Sequence, residues 1–315
     1  MHTWLTEQFG ITVPVVSAPM AGVAGGALAA AVSDAGALGM IGIGGRASPE
    51  WITRECAVAA ASGRPYGVGL LAWALADIPG QVDAVVEAAP AFVSIGYGPY
   101  AEHVARLRAA GSVVATTVGN LREALAAEAA GVDVIVARGL EGGGHGRDDV
   151  ATLPLLQSVL DVVSVPVLAA GGVVTARGLA AVLAAGAAGA WVGSAFLMCV
   201  EGTTTPQERA RLAAATDTDT VYGRVFDIGK RAGWPREWGD RALRNAFFDT
   251  WAGREDELAQ DDAARDVYAA GAAAQDADVA ALQVGQGVAS LTAERTAADV
   301  VAELARAEEL LARWR

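Results

Sequence analysis

The segment Arg138-Gly139-Leu140-Glu141-Gly142-Gly143-Gly144-His145-Gly146-Arg147 follows an apolar, β-branched run at residues 132–136. A buried strand that leads into five glycines around one imidazole does not continue the core, because glycine has no side chain to bury and loses the most conformational entropy on ordering. We therefore expect another molecule to approach this backbone closely. His145, one of three histidines in the chain, is a candidate acid–base residue. The alternative is a glycine-rich connector with an incidental exposed histidine.

This segment belongs to a repeating pattern of helix, glycine and short apolar strand. Helices predicted at 25–35, 49–62, 100–110, 121–130 and 176–185 each stop at a glycine that precedes an apolar strand. Continuous apolar strands between helices indicate a parallel sheet covered on its outer side. With further strands at 13–20, 91–95 and 165–170 the count reaches eight, which predicts an α/β fold with a closed (β/α)8 TIM barrel. An open doubly wound sheet is the structural alternative, but the first turn, at residues 18–22, lacks its Gly-x-Gly-x-x-Gly fingerprint.

The character of the chain changes after the eighth strand. Residues 201–281 are charged, read as helical, and contain an aromatic group. We predict a small helical cap domain inserted after strand eight, with residues 1–200 and 282–315 forming the barrel, and an amphipathic closing helix at 292–313. Most of the aromatic side chains are expected to hold the cap to the barrel. They are Tyr222, Phe226, Trp234, Trp238, Phe247, Phe248 and Trp251.

Two small-residue loops lie where such a barrel binds phosphate, after strands seven and eight. They carry Gly171-Gly172 and Gly193-Ser194. Small residues let a phosphate reach backbone N–H groups at a helix start, and the serine adds a hydroxyl donor. A lone Gly-Gly pair is more often a turn, but the two loops in register predict a phosphorylated cofactor or substrate on the face that carries the histidine. Flavin is the leading candidate, although nothing in the periodicity separates it from a sugar phosphate.

Composition restricts the partners of the chain. With a formal net charge of −13 and no basic cluster, nucleic acid and an anionic membrane surface would repel it. Cys56 and Cys199 lie far apart, with no Cys-x-x-Cys or Cys/His cluster, so neither a disulfide framework nor a metal site is expected. The sequence has no signal pattern and no apolar membrane span. We therefore expect two buried thiols in a cytoplasmic protein.

Several motifs occur in order along nearly the whole chain. They are Ala18-Pro19-Met20, Glu141-Gly142-Gly143-Gly144-His145-Gly146, Ala169-Ala170-Gly171-Gly172-Val173, Gly193-Ser194 and Gly285-Gln286-Gly287. Together they resemble the nitronate monooxygenase family of FMN-dependent barrels, and the glycine-histidine motif is the most specific part.

The resemblance implies FMN as cofactor, and a small-molecule nitronate and O2 as reactants. His145 would be the base that removes the proton beside a nitro group, or would orient the bound nitronate, and the products would be a carbonyl compound and nitrite. A homodimer is the candidate assembly. The implied cofactor-binding residues are Ala18, Pro19, Met20, Gly69, Arg138, Gly143, Gly171, Gly172, Gly193, Ser194 and Gln286.

Three positions depart from the family pattern. Ser194 often has Thr as its counterpart and keeps the hydroxyl group. Gly69 and Arg138 stand where the family often has Asn and Gln, so both change the polarity around the flavin ring. Arg138 either offsets negative charge on flavin or substrate, or pairs with Glu141.

Other functions remain open alternatives. A flavin-dependent NAD(P)H enoyl-thioester (enoyl-acyl carrier protein) reductase is similar in fold and also has a glycine-rich loop ending in histidine, but an acidic chain is a poor partner for an acidic carrier protein. Relatives of inosine monophosphate dehydrogenase need a cysteine after strand six, and that loop has none. A non-catalytic flavin-binding module is the alternative from another class, supported only by Gly69 and Arg138.

Overall fold

The computed structural model describes residues 1–313, and its main feature is an eight-stranded parallel sheet closed into a barrel. The barrel strands are β1 (Val15–Ser17), β2 (Gly39–Gly42), β3 (Tyr66–Leu71), β4 (Phe92–Gly96), β5 (Val113–Val118), β6 (Val134–Arg138), β8 (Val167–Ala170) and β9 (Gly189–Val192). They lie in the order β1-β9-β8-β6-β5-β4-β3-β2. The two ends are joined because Ser17 N donates to Leu38 O, and Leu38 N to Val15 O, each at 2.9 Å. The predicted (β/α)8 TIM barrel is confirmed.

Helices alternate with the barrel strands, as the sequence pattern predicts. They are α2 (Gly26–Asp34), α3 (Pro49–Ala60), α4 (Gln81–Ala88), α5 (Ala101–Ala109), α6 (Leu121–Ala129), α7 (Thr152–Leu160) and α8 (Ala176–Ala184). Side chains cap several N-termini; Ser48, for example, accepts a hydrogen bond from Trp51 N. After five of the helices the chain reverses at a glycine with positive φ, from +68° to +107°. This conformation carries little cost for glycine and ends a helix.

The core has two layers, because successive strand residues point to opposite faces. Val15, Ile41 and Val68 pack outward against the helices. Inside the barrel, Phe92 and Trp191 pack with other inward-facing residues. The interior layer also contacts α1 (Trp4–Phe9), a short helix that the sequence pattern did not indicate.

The region after β9 contains two strands as well as helices, which differs from the all-helical cap expected from the sequence. Its helices are α9 (Pro206–Ala214), α10 (Val225–Lys230), α11 (Ala246–Trp251), α12 (Glu255–Gln260) and α13 (Asp262–Ala273). Its strands are β10 (Thr220–Gly223) and β11 (Gly239–Leu243), and β11 pairs antiparallel with β7 (Gly144–Gly146). The histidine loop is therefore part of the sheet of the cap.

The cap has a core of its own, in which Phe226, Phe247, Phe248 and Tyr268 are buried together. These aromatic side chains stabilise the cap itself and do not merely hold it to the barrel. The cap boundaries at 201 and 281 stay a prediction.

The end of the chain returns to the barrel as two helices, α14 (Ala297–Ala305) and α15 (Ala307–Ala312). The sequence predicted one continuous helix over 292–313. The last two residues of the predicted segment 282–315 lie outside the described residues. Cys56 and Cys199 are free and buried, as expected. Over residues 1–313, none of the helices combines the length and the apolar character that crossing a membrane requires.

Candidate functional site

A cavity of about 650 Å³ opens at the carboxyl ends of the barrel strands. Its volume is typical of cofactor sites, and (β/α)8 barrels bind ligands at this end. Gln286 does not line it; its side chain is exposed, and Gln283 is the glutamine on the wall. All the other residues predicted for the site line the cavity, namely Ala18, Pro19, Met20, Gly69, Arg138, Gly143, His145, Gly171, Gly172, Gly193 and Ser194.

The two glycine loops after β8 and β9 present unused backbone donors. Gly171 and Gly172 have φ of +104° and +71°, a conformation that favours glycine. Within residues 1–313, the N–H groups of Gly171, Gly172 and Gly193 donate to no acceptor. Ser194 Oγ accepts from Gly285 N at 3.0 Å, which leaves its own hydrogen free to donate. Unused donors close to the start of α8 fit the phosphate of a nucleotide cofactor.

Gly69, which departs from the family pattern, packs directly against Pro19. A Cβ atom at this position would lie 2.4 Å from Pro19 Cγ, far inside van der Waals contact. Pro19 therefore fills the space that a side chain at residue 69 would need. The glycine lets the loop after β1 pack directly on β3, which gives an apolar surface suited to a flat ring.

Arg138 holds the glycine-rich loop in place. Its Nη2 donates to the carbonyl oxygens of Gly142, Gly143 and Gly144 at 2.7, 3.2 and 2.9 Å. The expected alternative, a salt bridge to Glu141, is wrong, because the Glu141 carboxylate accepts instead from Thr152 N and Oγ1. Burial lowers the pKa of the Arg138 guanidinium, but arginine stays charged in proteins. The loop thus encloses a cation that has no acidic partner in the described ion pairs.

His145 is positioned mainly by the cap. Its Nε2 lies 2.9 and 3.0 Å from the two carboxylate oxygens of Asp227 on α10. Its ring stacks on Trp234 with centroids 3.5 Å apart and planes 6° from parallel. Tyr97 Oη donates to the His145 carbonyl oxygen at 3.1 Å. Both the position of the ring and the partner of one ring nitrogen are therefore fixed.

A second carboxylate lies beside this pair. Asp240 is His145's neighbour across β11 and β7, is 0% exposed, and accepts from Gln283 Nε2 at 2.9 Å through Oδ2. Its Oδ1 has no hydrogen-bond partner in the described part of the chain. Oxygen or nitrogen atoms of His145, Asp227 and Asp240 lie within 4.8 Å of one another. Such spacing is compatible with a metal ion, a site that the sequence did not lead us to expect, although here His145 Nε2 is hydrogen-bonded to Asp227.

The sequence did not identify Asp227 or Asp240 as site residues, since pairing with residue 145 spans 82 positions or more. A local signal existed for Asp227, a lone carboxylate in the apolar run 225–228. Of the other cap residues, Lys230, Ala232 and Trp234 reach the cavity. Arg231 instead pairs with surface aspartates.

The family model described as nitronate monooxygenase matches residues 2–79 and 74–307. The chain is 31% identical to a nitronate monooxygenase of Paraburkholderia phytofirmans, covering 96% of this chain and 94% of that protein. It is 37% identical to a Rhodococcus jostii protein named (3aS,4S,5R,7aS)-5-hydroxy-7a-methyl-1-oxo-octahydro-1H-indene-4-carboxyl-CoA dehydrogenase. That match covers 72% of this chain but 64% of the relative, so the chain spans less than two thirds of its length.

Two solved structures share the whole fold. FabK from Thermotoga maritima superposes with a TM-score of 0.88 at 26% identity and covers 100% of this chain and 99% of that chain. A nitroalkane oxidase from Streptomyces ansochromogenes superposes with a TM-score of 0.81 at 31% identity, covering 98% of this chain and 99% of that one.

Proposed function

The chain belongs to the nitronate monooxygenase family, and we propose that it uses FMN and O2 to oxidise alkyl nitronates to carbonyl compounds and nitrite. The observation that carries the proposal is His145, paired with Asp227, on the wall of a cavity in which the loops after β8 and β9 offer unused N–H donors for a phosphate. A proton-handling group and a nucleotide-binding end in one cavity suit a flavoenzyme that acts on an acidic carbon.

FMN suits the cavity for two reasons. The N–H groups of Gly171, Gly172 and Gly193 and the hydroxyl of Ser194 would hold the phosphate. The surface formed by Pro19 and Gly69 would support the ring. When bound, FMN supplies the electron-accepting chemistry and passes electrons on to O2.

His145 would take up or hold the proton of the substrate. An ionised Asp227 only accepts hydrogen bonds, so a neutral His145 carries its proton on Nε2 and keeps a lone pair on Nδ1. Nδ1 would remove the proton beside a nitro group, or would position a nitronate that arrives already deprotonated. The positive charge that the imidazole gains would be stabilised by Asp227.

A flavin-dependent enzyme that acts on a thioester is the second candidate. The fold similarity to FabK and the CoA dehydrogenase name of the Rhodococcus relative favour it. A reductase of this class would oxidise NAD(P)H in the presence of an enoyl thioester.

Oxygen uptake by the FMN-loaded protein separates these functions. We expect uptake with an alkyl nitronate, with release of nitrite, and no dependence on NADH or NADPH. Oxidation of NAD(P)H that requires an enoyl thioester, without nitronate-dependent uptake, would favour the reductase. Bound flavin without turnover in either assay would indicate a binding module.

A further inference from the structure

Lys230 is the only lysine of the chain, and it lines the cavity that holds His145. It is the last residue of α10, the helix that also carries Asp227. Its side chain is 33% exposed, so the ammonium group is neither buried nor free in bulk solvent. The only lysine of a chain of net charge −13 therefore lies in the same cavity as Arg46 and Arg138.

The Lys230 ammonium group lies near Asp240 but forms no hydrogen bond with it. Its Nζ lies 4.0 Å from Asp240 Oδ2, too far for a hydrogen bond. Gln283 already donates to that oxygen at 2.9 Å. Across residues 1–313, the Lys230 ammonium group donates no hydrogen bond, and it carries three donors. Asp240 thus attracts the Lys230 ammonium group electrostatically, while the N–H groups of the ammonium remain available to a ligand.

The charges around the histidine leave a role for a separate cation, because Asp227 and Asp240 would repel a substrate anion. Asp227 and Asp240 lie beside His145 and would stabilise an imidazolium. Removing a proton from a nitroalkane breaks its C–H bond, forms an N–H bond on His145, and leaves the electron pair delocalised onto the two nitro oxygens. That developing charge requires a donor, and stabilisation of developing charge is the larger part of many enzymatic accelerations.

We propose that Lys230 binds the anionic oxygens of the nitronate head group, an inference that rests on the proposed function for its substrate class. In this arrangement His145 accepts the proton. Lys230 stabilises the negative charge that loss of the proton leaves on the substrate. With both groups present, the protein accepts neutral nitroalkanes as well as preformed nitronates.

Nitrate is the probe for this site, because it is planar and carries its charge on oxygens as a nitronate head group does. Its binding is followed through the visible spectrum of bound flavin, which requires no turnover. In Lys230→Met we expect the dissociation constant for nitrate to rise about 10- to 100-fold, the range for loss of a charge-assisted hydrogen bond. Lys230→Arg keeps the charge and should retain most of the binding, which separates lost binding from a folding defect.

Arg231→Met is the matched control, since Arg231 is the next residue, carries the same charge and pairs with surface aspartates. It should bind nitrate like the wild type. Unchanged binding in Lys230→Met, or equal weakening in Arg231→Met, would overturn the proposal.

Kinetics with the two substrate forms separate this inference from the proposed function. Lys230→Met should raise the KM for preformed nitronate and lower kcat/KM for the neutral nitroalkane further. If wild type oxidises nitronate and the variant matches it, the inference fails and the function stands. If wild type ignores nitronate but nitrate binding depends on Lys230, the function fails and the anion site stands.

Discussion

The hydrogen bond between His145 and Asp227 determines which ring nitrogen can act as a base. In Asp227→Asn, the negative charge that stabilises the imidazolium is lost, and the amide N–H can donate to Nε2, which places the proton on Nδ1. We expect turnover of a neutral nitroalkane to fall about 10²- to 10⁴-fold, the range for loss of general base catalysis. Turnover of a preformed nitronate should fall much less, since its proton is already gone.

Stopped-flow or oxygen-electrode rates with both substrate forms measure this difference. Asp249→Asn is the control, because Asp249 is partly exposed and accepts only from Arg244 in the described contacts. Equal losses with the two substrate forms would contradict the role of Asp227 in placing the proton.

Gly193 tests the phosphate end of the cavity. Its φ is −103°, and an added Cβ would meet Ala18 Cβ at 3.4 Å, so a side chain can be accommodated by the fold. Gly193→Asp should fold but bind no FMN, because its carboxylate would repel the phosphate. Gly193→Ala should retain FMN. The flavin content of the two purified variants measures the effect, and normal flavin in the aspartate variant would count against this phosphate site.

The loop between β6 and β7 is held in its conformation by hydrogen bonds from the Arg138 guanidinium. In Arg138→Met, three carbonyl oxygens lose a charged donor in a buried place. We expect the free energy of unfolding to fall by about 2 kcal/mol or more, measured by urea denaturation, and FMN affinity to weaken as the loop loosens. Arg108→Met, which removes a half-exposed surface pair with Asp133, is the control and should change stability by less than about 1 kcal/mol. Equal effects in the two variants would contradict the role of Arg138 in holding the loop.

The alternation of helices and strands was predictable because its signals are local. A glycine such as Gly111 or Gly186 ends a helix by adopting positive φ, whatever lies elsewhere in the chain. The second sheet was not predictable, because β7 is Gly-His-Gly and has no strand propensity of its own. It becomes a strand only by pairing with β11, about ninety residues later.

The candidate site also has a part that could be predicted from the sequence and a part that could not. The glycine and serine loops could be located because parallel strands end at one face of a barrel. The hydrogen-bond partners of side chains could not be predicted. Arg138 had both Glu141 and nearby carbonyl oxygens within reach along the sequence, and only the path of the loop selects among them. Asp227 and Trp234 depend on where the cap lies over the barrel.

At the scale of the whole molecule, both thiols are enclosed in the core around the barrel. Burial raises the pKa of Cys56 to about 11 and that of Cys199 to about 12. The reactive form is the thiolate, so both thiols stay protonated at about pH 8, near the ordinary thiol pKa of about 8.5. Reactivity should rise only as the pH approaches the raised values.

Ellman's reagent measures this in the native and the urea-unfolded protein. We expect no rapid reaction in the native state and both thiols to react after unfolding, so that thiol exposure reports global opening. Rapid native reaction at about pH 8, near the ordinary thiol pKa, would show that the barrel opens locally around one of the two cysteines.

The molecule as a whole joins a barrel with a cavity at its mouth to a cap that supplies Lys230 and Trp234 to that cavity and Asp227 to His145 on its wall. In the proposed reaction, a nitronate gives its electrons to flavin bound in this cavity. The decisive experiment mixes the FMN-loaded protein with an alkyl nitronate in the absence of oxygen and records the flavin spectrum. We expect loss of the visible flavin absorbance, restored by O2 with release of nitrite. Flavin that is unchanged by nitronate but bleached by NADH or NADPH would contradict it.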